Sequence, residues 1–360
     1  MPRPRIQNTV FMRILGIIPL IIAATAATAV AVAPSAAAAT GVGLLGPGGK
    51  LPVGQRTYHL ADTGRADRWQ PDQRRELMVS LWYPAIPVGK RAEYMTAAES
   101  TAAVRGLRLD LPDDALQKVK VHSYRDAPPL PKSKGWPLVV LSPGMGNSRT
   151  TLTTLAEELA SRGFVVAGID HAYEAQNVEF PGGRLLPCKG CSGNPDIWAE
   201  ALAERALDVK FVLDDVLTNR PVRIDRSRIG MAGHSAGGVA TIHSLAGDRR
   251  FKAGVSMDGP IYRPLAVAKP FALLTSPIGE QGWAGLWDAA WPSLTGWKER
   301  RLLPQTGHSS SNDNGYLAVA LGQKDKIPAN VWSNLYGTGD PVASVKFFRD
   351  YLTGFFQARL

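Results

Sequence analysis

The sequence predicts an α/β fold with a mainly parallel central sheet flanked by helices on both faces. Three observations carry this expectation. Apolar runs of strand length alternate with helical stretches from residue 137 to the C-terminus, and that alternation places helices on both faces of parallel strands. The run Leu138-Val139-Val140-Leu141 is unbroken by polar residues, as a strand buried on both faces requires. The chain has 360 residues, 45% of them hydrophobic and 20% charged, which is enough apolar material for one large domain.

The elements follow in order. Residues 1–39 read as a signal peptide, which predicts a secreted protein. Arg3, Arg5 and Arg13 precede an apolar stretch from Ile14 to about Val32, and the small-residue run Pro34–Ala39 sets cleavage near Ala38 or Ala39. The alternative for this stretch is an uncleaved membrane anchor. Residues 40–360 are read as a single domain. Residues 40–52 are a Gly/Pro-rich lead-in, and Gln55–Leu60 and Leu77–Tyr83 alternate like strands. Residues 86–136 form a candidate cap or surface insertion, with a helical stretch over Glu93–Val104 and breaks at Pro112 and Pro128-Pro129. Strand 137–141 leads to a helix bearing Leu152, Leu155 and Leu159, then to strand Phe164–Ile169. A long helix opens at Asn194-Pro195, a cap followed by proline at the first helical position, and stops before Pro221. Strand Arg228–Ala232, helix Ala236–Ala246 and strands Phe251–Met257, Phe271–Thr275 and Arg300–Leu303 complete the sheet. Asp340-Pro341 opens a C-terminal helix with Val345, Phe348, Leu352 and Phe355 at helical spacing.

The formal net charge is +10, falling to +7 once the three arginines of the signal segment are lost. A mild basic excess suits solubility, with attraction to anionic surfaces as the alternative. No basic helix and no aromatic–basic motif points to nucleic acid. Cys188 and Cys191 are the two cysteines. Their C-x-x-C spacing lies among Pro187, Ser192 and Gly193, which is loop chemistry, and an exported chain permits a disulfide there, with free thiols or a redox pair as the alternatives. Two cysteines alone make a poor zinc site.

Gly233-His234-Ser235-Ala236-Gly237 matches G-x-S-x-G. The pattern alone is weak. Here, however, an apolar strand runs into it and a small-residue helix leaves it, which is the setting of a nucleophile elbow and of the α/β-hydrolase fold. The serine of such an elbow sits in a tight turn, so its neighbours must lack bulk, as Gly233, Gly237 and Gly238 do. Ser235 is therefore the expected nucleophile. It needs a base. His59, His122 and His171 precede the elbow and His234 lies within it. His243 is eight residues down the helix, about 12 Å away by helical rise. His308 remains, in the loop after the last expected strand. Two acids qualify to orient it. Asp258 follows strand Phe251–Met257 in an Asp-Gly-Pro turn. Glu280 follows the next strand and is the alternative acid. The layout favours Asp258, because its turn is rigid. The backbone N–H groups of Ala236 and of Met145, in Pro143-Gly144-Met145-Gly146, are the expected oxyanion donors.

With these residues in place, the chain resembles the platelet-activating-factor acetylhydrolase family, the lipoprotein-associated phospholipase type, as a secreted bacterial member. The likeness runs over about residues 77–320. It is carried by Trp136–Gly146, Ile229–Gly238, Met257-Asp258-Gly259 and Lys298–His308. The resemblance implies Asp258 as the acid, His308 as the base and Met145 and Ala236 as the oxyanion donors. It also implies metal-free cleavage of short or oxidised acyl chains from phospholipids, with no cofactor. The 86–136 region departs from the family pattern.

The expected function is therefore a serine carboxylester hydrolase acting through an acyl-serine intermediate on short-chain or phospholipid-like esters. The alternatives are a lipase or polyester hydrolase, a peptidase or acyltransferase on the same triad, and a non-catalytic binding protein of the same fold. The expected partners are the ester itself and a transient lipid surface, with the chain a monomer. Trp283, Trp287 and Trp291 recur every four residues and are candidates to line a substrate pocket, although such a stripe also suits core packing. Asn312-Asp313-Asn314-Gly315 hints at calcium but lacks the full loop pattern.

Overall fold

Hydrogen bonding joins ten strands into one sheet in the computed structural model, which describes residues 41–192 and 195–360. The expected signal segment and its cleavage point at Ala38 or Ala39 lie outside the described residues, as does Asn194, the expected cap of the long helix. The strands are β1 (Val53–Ala66), β2 (Arg74–Pro84), β3 (Arg91–Glu93), β4 (Lys120–Arg125), β5 (Trp136–Ser142), β6 (Val165–His171), β9 (Ile224–His234), β10 (Phe251–Met257), β11 (Phe271–Thr275) and β12 (Lys298–Leu302). A separate hairpin pairs β7 (Val178–Phe180) with β8 (Arg184–Leu186). The sheet order is β12-β11-β10-β9-β5-β6-β2-β1-β4-β3. From β6 to β12 the neighbours are parallel, while β2 runs antiparallel to both β6 and β1.

The helices are α1 (Ala97–Gly106), α2 (Thr153–Ser161), α3 (Pro195–Asn219), α4 (Ala236–Gly247), α5 (Pro277–Ala290), α6 (Asp313–Ala320), α7 (Ala329–Tyr336) and α8 (Pro341–Arg359). They cover both faces, for the reason the sequence gives. Along β5, Leu138 and Val140 point into one apolar layer with Val209, Val212, Leu213 and Val216 of α3. Val139 and Leu141 point into the opposite layer with Leu155 and Leu159 of α2 and Phe348, Leu352 and Phe356 of α8. Successive strand residues face opposite sides, and each fully buried aliphatic side chain contributes about 1.5–3 kcal/mol.

This α/β-hydrolase architecture puts the chemistry at one edge. Strand order reverses at β5, whose neighbours are β6 on one side and β9 on the other. Such a switch point opens a crevice at the carboxyl ends of the strands. There Ser142 and Gly233 lie opposite each other in the β5–β9 register, so the loop after β5 and the turn after β9 emerge side by side.

Two expectations need revision. Residues 86–136 contribute β3 and β4, which extend the far end of the sheet beyond β1. The helix within that region begins at Ala97, because Thr96 caps it in a capping box with Glu99, and Glu93 belongs to β3.

Candidate active site

The turn after β9 is held by close backbone approach. A Cβ on Gly233 would sit 2.0 Å from the Gly237 carbonyl oxygen, and one on Gly237 would sit 1.9 Å from that of Ser142. A Cβ on Gly238 would meet Ser256 Oγ at 2.2 Å. Ser235 itself has φ 53° and ψ −114°, outside the negative-φ regions a side chain prefers. That backbone turns its side chain out of the sheet edge and leaves it at the N-terminus of α4, where the helix dipole favours negative charge.

Ser235 Oγ lies 2.9 Å from His308 Nε2, and His308 Nδ1 lies 2.7 Å from Asp258 Oδ2. Residues 73 and 50 positions apart in sequence thus form one continuous chain of hydrogen bonds. Asp258 also has a positive φ, 54°. Its carboxylate accepts from the Ser276 N–H at 2.8 Å and from Ser276 Oγ–H at 2.7 Å. Ser276 is the N-cap of α5, and Gly279 stands so close that a Cβ there would be 2.1 Å from Asp258 Oδ1. The Asp258 carboxylate is therefore cradled by a helix N-terminus as well as by the histidine.

Glu280, the alternative acid, does not reach His308. It accepts from Thr275 Oγ1 at 2.6 Å and pairs with Arg300 of β12. Its place one turn into α5 points it along the sheet toward that arginine. The tryptophan stripe is divided in the same way. Trp283 is buried, with its ring centroid 5.3 Å from that of His308 in an edge-on contact. Trp287 is fully buried and donates Nε1–H to the Gly259 carbonyl, steadying the turn that carries Asp258. Trp291 packs at the far end of α5, beneath the Lys298 ammonium. Trp287 and Trp291 thus do not line the site, because α5 runs away from it. Asn312 caps α6 through its side chain, and among the described residues no group of three or more acidic, His or Cys side chains is placed to hold a metal ion.

Among the described residues, neither the Met145 nor the Ala236 N–H donates to a protein acceptor. Both residues belong to one small apolar cluster with Cys188, Trp198, Leu202 and Val239. Cys188 and Cys191 are joined in a disulfide that packs against this cluster, with Cys188 Sγ 4.0 Å from Met145 Sδ.

Sequence reasoning passed over Ser276 and His234. The dipeptide Ser276-Pro277 is a helix-start signal, and it was the available clue to a carboxylate-binding cap. His234 Nε2 donates to the His308 carbonyl at 2.7 Å. Burial, and then the neighbouring His308, push the His234 imidazole down to about 3. It is neutral at ordinary pH, so its Nε2 carries the proton and its Nδ1 a lone pair. His308 is tied at both backbone ends, since its own N–H donates to Asn334 of α7 at 2.8 Å.

Comparison with known proteins is consistent across sequence and structure. The sequence model of "Platelet-activating factor acetylhydrolase, isoform II" matches residues 69–179 and 199–269, half of the chain. That match takes in Met145, Ser235 and Asp258 and ends before His308. A protein of Arthroderma benhamiae named "Probable 1-alkyl-2-acetylglycerophosphocholine esterase" is 26% identical over 349 residues, covering 87% of each chain. The platelet-activating factor acetylhydrolase of Cavia porcellus is 26% identical over 223 residues, which span 53% of this chain and 48% of that protein. Among solved structures, a ferulic acid esterase from Streptomyces cinnamoneus superimposes with a TM-score of 0.77 at 37% identity, covering 89% of this chain and 93% of that one.

Proposed function

The chain belongs to the platelet-activating factor acetylhydrolase, isoform II family and is a carboxylic ester hydrolase, and from that premise we propose that it is a secreted serine esterase working through an acyl-serine intermediate on short-chain acyl esters, including phospholipid-like ones. The observation that carries this reading is the continuous chain Ser235 Oγ–His308–Asp258, at 2.9 and 2.7 Å.

In this reading His308 Nε2 accepts the proton of Ser235 Oγ as the oxygen bonds to the ester carbonyl carbon. The carbonyl π pair moves onto oxygen, and the Met145 and Ala236 N–H groups, which no acceptor uses among the described residues, receive that oxyanion. The oxyanion collapses, the ester C–O bond breaks, and His308 returns the proton to the departing alkoxide. A water repeats the sequence on the acyl-serine and releases the acid. Asp258 holds His308 with its Nδ1 proton inward and stabilises the imidazolium that forms. The apolar cluster shared by Met145, Ala236 and the disulfide supports an acyl group beside the donors. Secretion rests on the residue 1–39 signal pattern.

Ser235→Ala tests the reading: nitrophenyl acetate turnover should vanish while the melting temperature holds, and retained turnover refutes it. A chain-length series that includes phospholipids with short second acyl chains tests the substrate class. A steep fall beyond short chains is expected, and a flat profile or a preference for insoluble long chains overturns it. The likeness to a ferulic acid esterase favours a second reading, hydroxycinnamate esters, for which methyl ferulate outcompeting acetyl esters in kcat/KM is the decisive result.

A further inference from the structure

Directly beneath the loop that carries Met145 lies a second Ser–His–Asp chain. Ser142 Oγ is 2.9 Å from His171 Nε2, and His171 Nδ1 is 2.7 Å from Asp208 Oδ2. All three residues are essentially sealed, with exposures of 0, 2 and 1%, so no ester reaches Ser142. Burial, and then the Arg205 guanidinium, lower the His171 imidazole. Burial alone would raise the Asp208 carboxyl, but the Arg75 guanidinium and the His171 bond outweigh it and hold it far down. His171 is then neutral with its proton on Nδ1 toward Asp208, and Ser142 Oγ–H donates to Nε2. A nucleophile that no ester can reach does not make a second reaction centre.

What this chain touches is the oxyanion loop. Ser142 is the last residue of β5, immediately before Pro143-Gly144-Met145-Gly146. Arg205, buried on α3, donates Nη1–H to the Pro143 carbonyl at 2.6 Å and, at 3.4 Å, to Ser142 Oγ. Its Nε donates to Glu174 Oε2 at 2.6 Å, and the Glu174 backbone carbonyl accepts the Gly146 N–H at 2.8 Å. One buried ion pair thus ties the carbonyl before Gly144 and the N–H after Met145. Only two residues lie between the ties. Met145 is flanked by glycines, Gly146 at φ 82°, so its own peptide is free to rotate except where it is held. The Asn147 N–H, which donates to the Gly144 carbonyl at 3.1 Å, holds it from within the turn, and the two ties hold it from either side.

We propose that Arg205 and Glu174, backed by Ser142, His171 and Asp208, are positioning residues that hold the Met145 N–H in its oxyanion-binding orientation. The inference rests on the reading of Met145 as an oxyanion donor. Charge-assisted hydrogen bonds of this kind are short and directional, and donors fixed before the reaction need no rearrangement as charge develops. Both ties are made to the loop's backbone, at the Pro143 carbonyl and at the Gly146 N–H.

The test compares Arg205→Lys, Ser142→Ala and Ser235→Ala in the full chain. A lysine at 205 keeps the charge but reaches the Pro143 carbonyl or Glu174, not both. Losing an oxyanion donor outright costs about 10²–10³ in kcat, so Arg205→Lys should lower kcat about 10–100-fold, with KM within about threefold. Rates are expressed per active site titrated with a fluorophosphonate, which removes any unfolded fraction. A trifluoromethyl ketone, whose serine adduct is an oxyanion, should lose affinity by the factor that kcat/KM loses. Ser142→Ala removes one hydroxyl from the relay and should cost about 3–10-fold in kcat, and it carries the test if Arg205→Lys does not fold. A merely structural role would lower the number of titrated sites and the melting temperature but leave kcat per site and the inhibitor constant unchanged, and that result overturns the proposal. Turnover by Ser235→Ala would refute the serine-esterase reading itself. Its loss together with unaltered Arg205→Lys and Ser142→Ala would refute the clamp alone.

Discussion

Replacing Asp258 with asparagine changes one atom, and its effect can be worked from the hydrogen bonds. Oδ1 accepts from the Ser276 N–H at 2.8 Å, so that position must stay an oxygen. The new NH₂ then takes the place of Oδ2, which now accepts from Ser276 Oγ–H and from His308 Nδ1–H, both at 2.7 Å. The Ser276 hydroxyl rotates and becomes an acceptor. The imidazole has no such freedom. To accept from the amide it must shift its proton to Nε2, where it can no longer take one from Ser235. The φ of 54° is no obstacle, because asparagine tolerates that region better than most residues. We therefore expect a folded enzyme whose kcat falls on the order of 10⁴-fold, the size of a wrong-tautomer defect in such a triad, or about 5.5 kcal/mol of barrier. The assay is nitrophenyl acetate hydrolysis per correctly folded molecule, with near-ultraviolet dichroism to verify the fold. A fall of less than tenfold would show that Asp258 does not set the histidine tautomer.

Glu280→Gln should leave kcat/KM within about threefold of wild type, since its partners are Thr275 and Arg300; a drop comparable to that of Asp258→Asn would return Glu280 to the acid role. Gly279→Ala places a methyl 2.1 Å from Asp258 Oδ1 and should cost about 10² in kcat, the usual effect of a displacement of about 1 Å in a reacting group, and an unimpaired variant would mean that the α5 cap does not fix Asp258. Asp313 is fully buried, and burial raises its carboxyl to about 8. In the window from about 4 to about 8 the folded chain holds a proton there that the unfolded chain has released, so this group makes stability decline as pH rises through that window. Asp313→Asn keeps an acceptor for the Thr154 N–H and should raise the melting temperature relative to wild type at pH 8 but little at pH 4, while parallel curves would show that Asp313 is ionised in the native state.

The parts of the fold that were legible are those in which one periodicity dominates. Strands Phe251–Met257 and Phe271–Thr275 and the start of the C-terminal helix at Pro341 fall where expected, because each is a strand- or helix-patterned run bounded by an unmistakable cap or turn. Strands β3 and β4 were not legible. Edge strand β3 has three residues and is defined by its pairing with β4, while β4, between β1 and β3, alternates buried Val121 and Ser123 with more exposed residues, an alternation that the polar Ser123 hides in the sequence. Helices α6 and α7 were missed for a similar reason. Each has eight residues, about two turns, too short for a period of 3.6 to be distinguished from loop composition. At the site, local logic pointed to Ser235 and chain order to His308, whereas the support of Asp258 by Ser276 exists only once β10 and β11 lie side by side. A signal for the buried ion network was nonetheless present. Leu202, Arg205, Asp208, Val209 and Val212 share one face of α3, and charged residues at stripe positions of an amphipathic helix cannot be buried without partners.

The left-handed backbone of Ser235 and Asp258 has an evolutionary consequence. Backbone held in so sparsely populated a conformation costs of order 1–3 kcal/mol, and a glycine at either position would be relieved of it. Selection for durability alone would therefore erode this pair first, exchanging turnover for a firmer fold. A descendant of this chain that had lost its ester could gain stability from the very substitutions that disarm it. On the proposed mechanism, the two residues mark where catalysis and thermodynamic fitness pull the sequence in opposite directions.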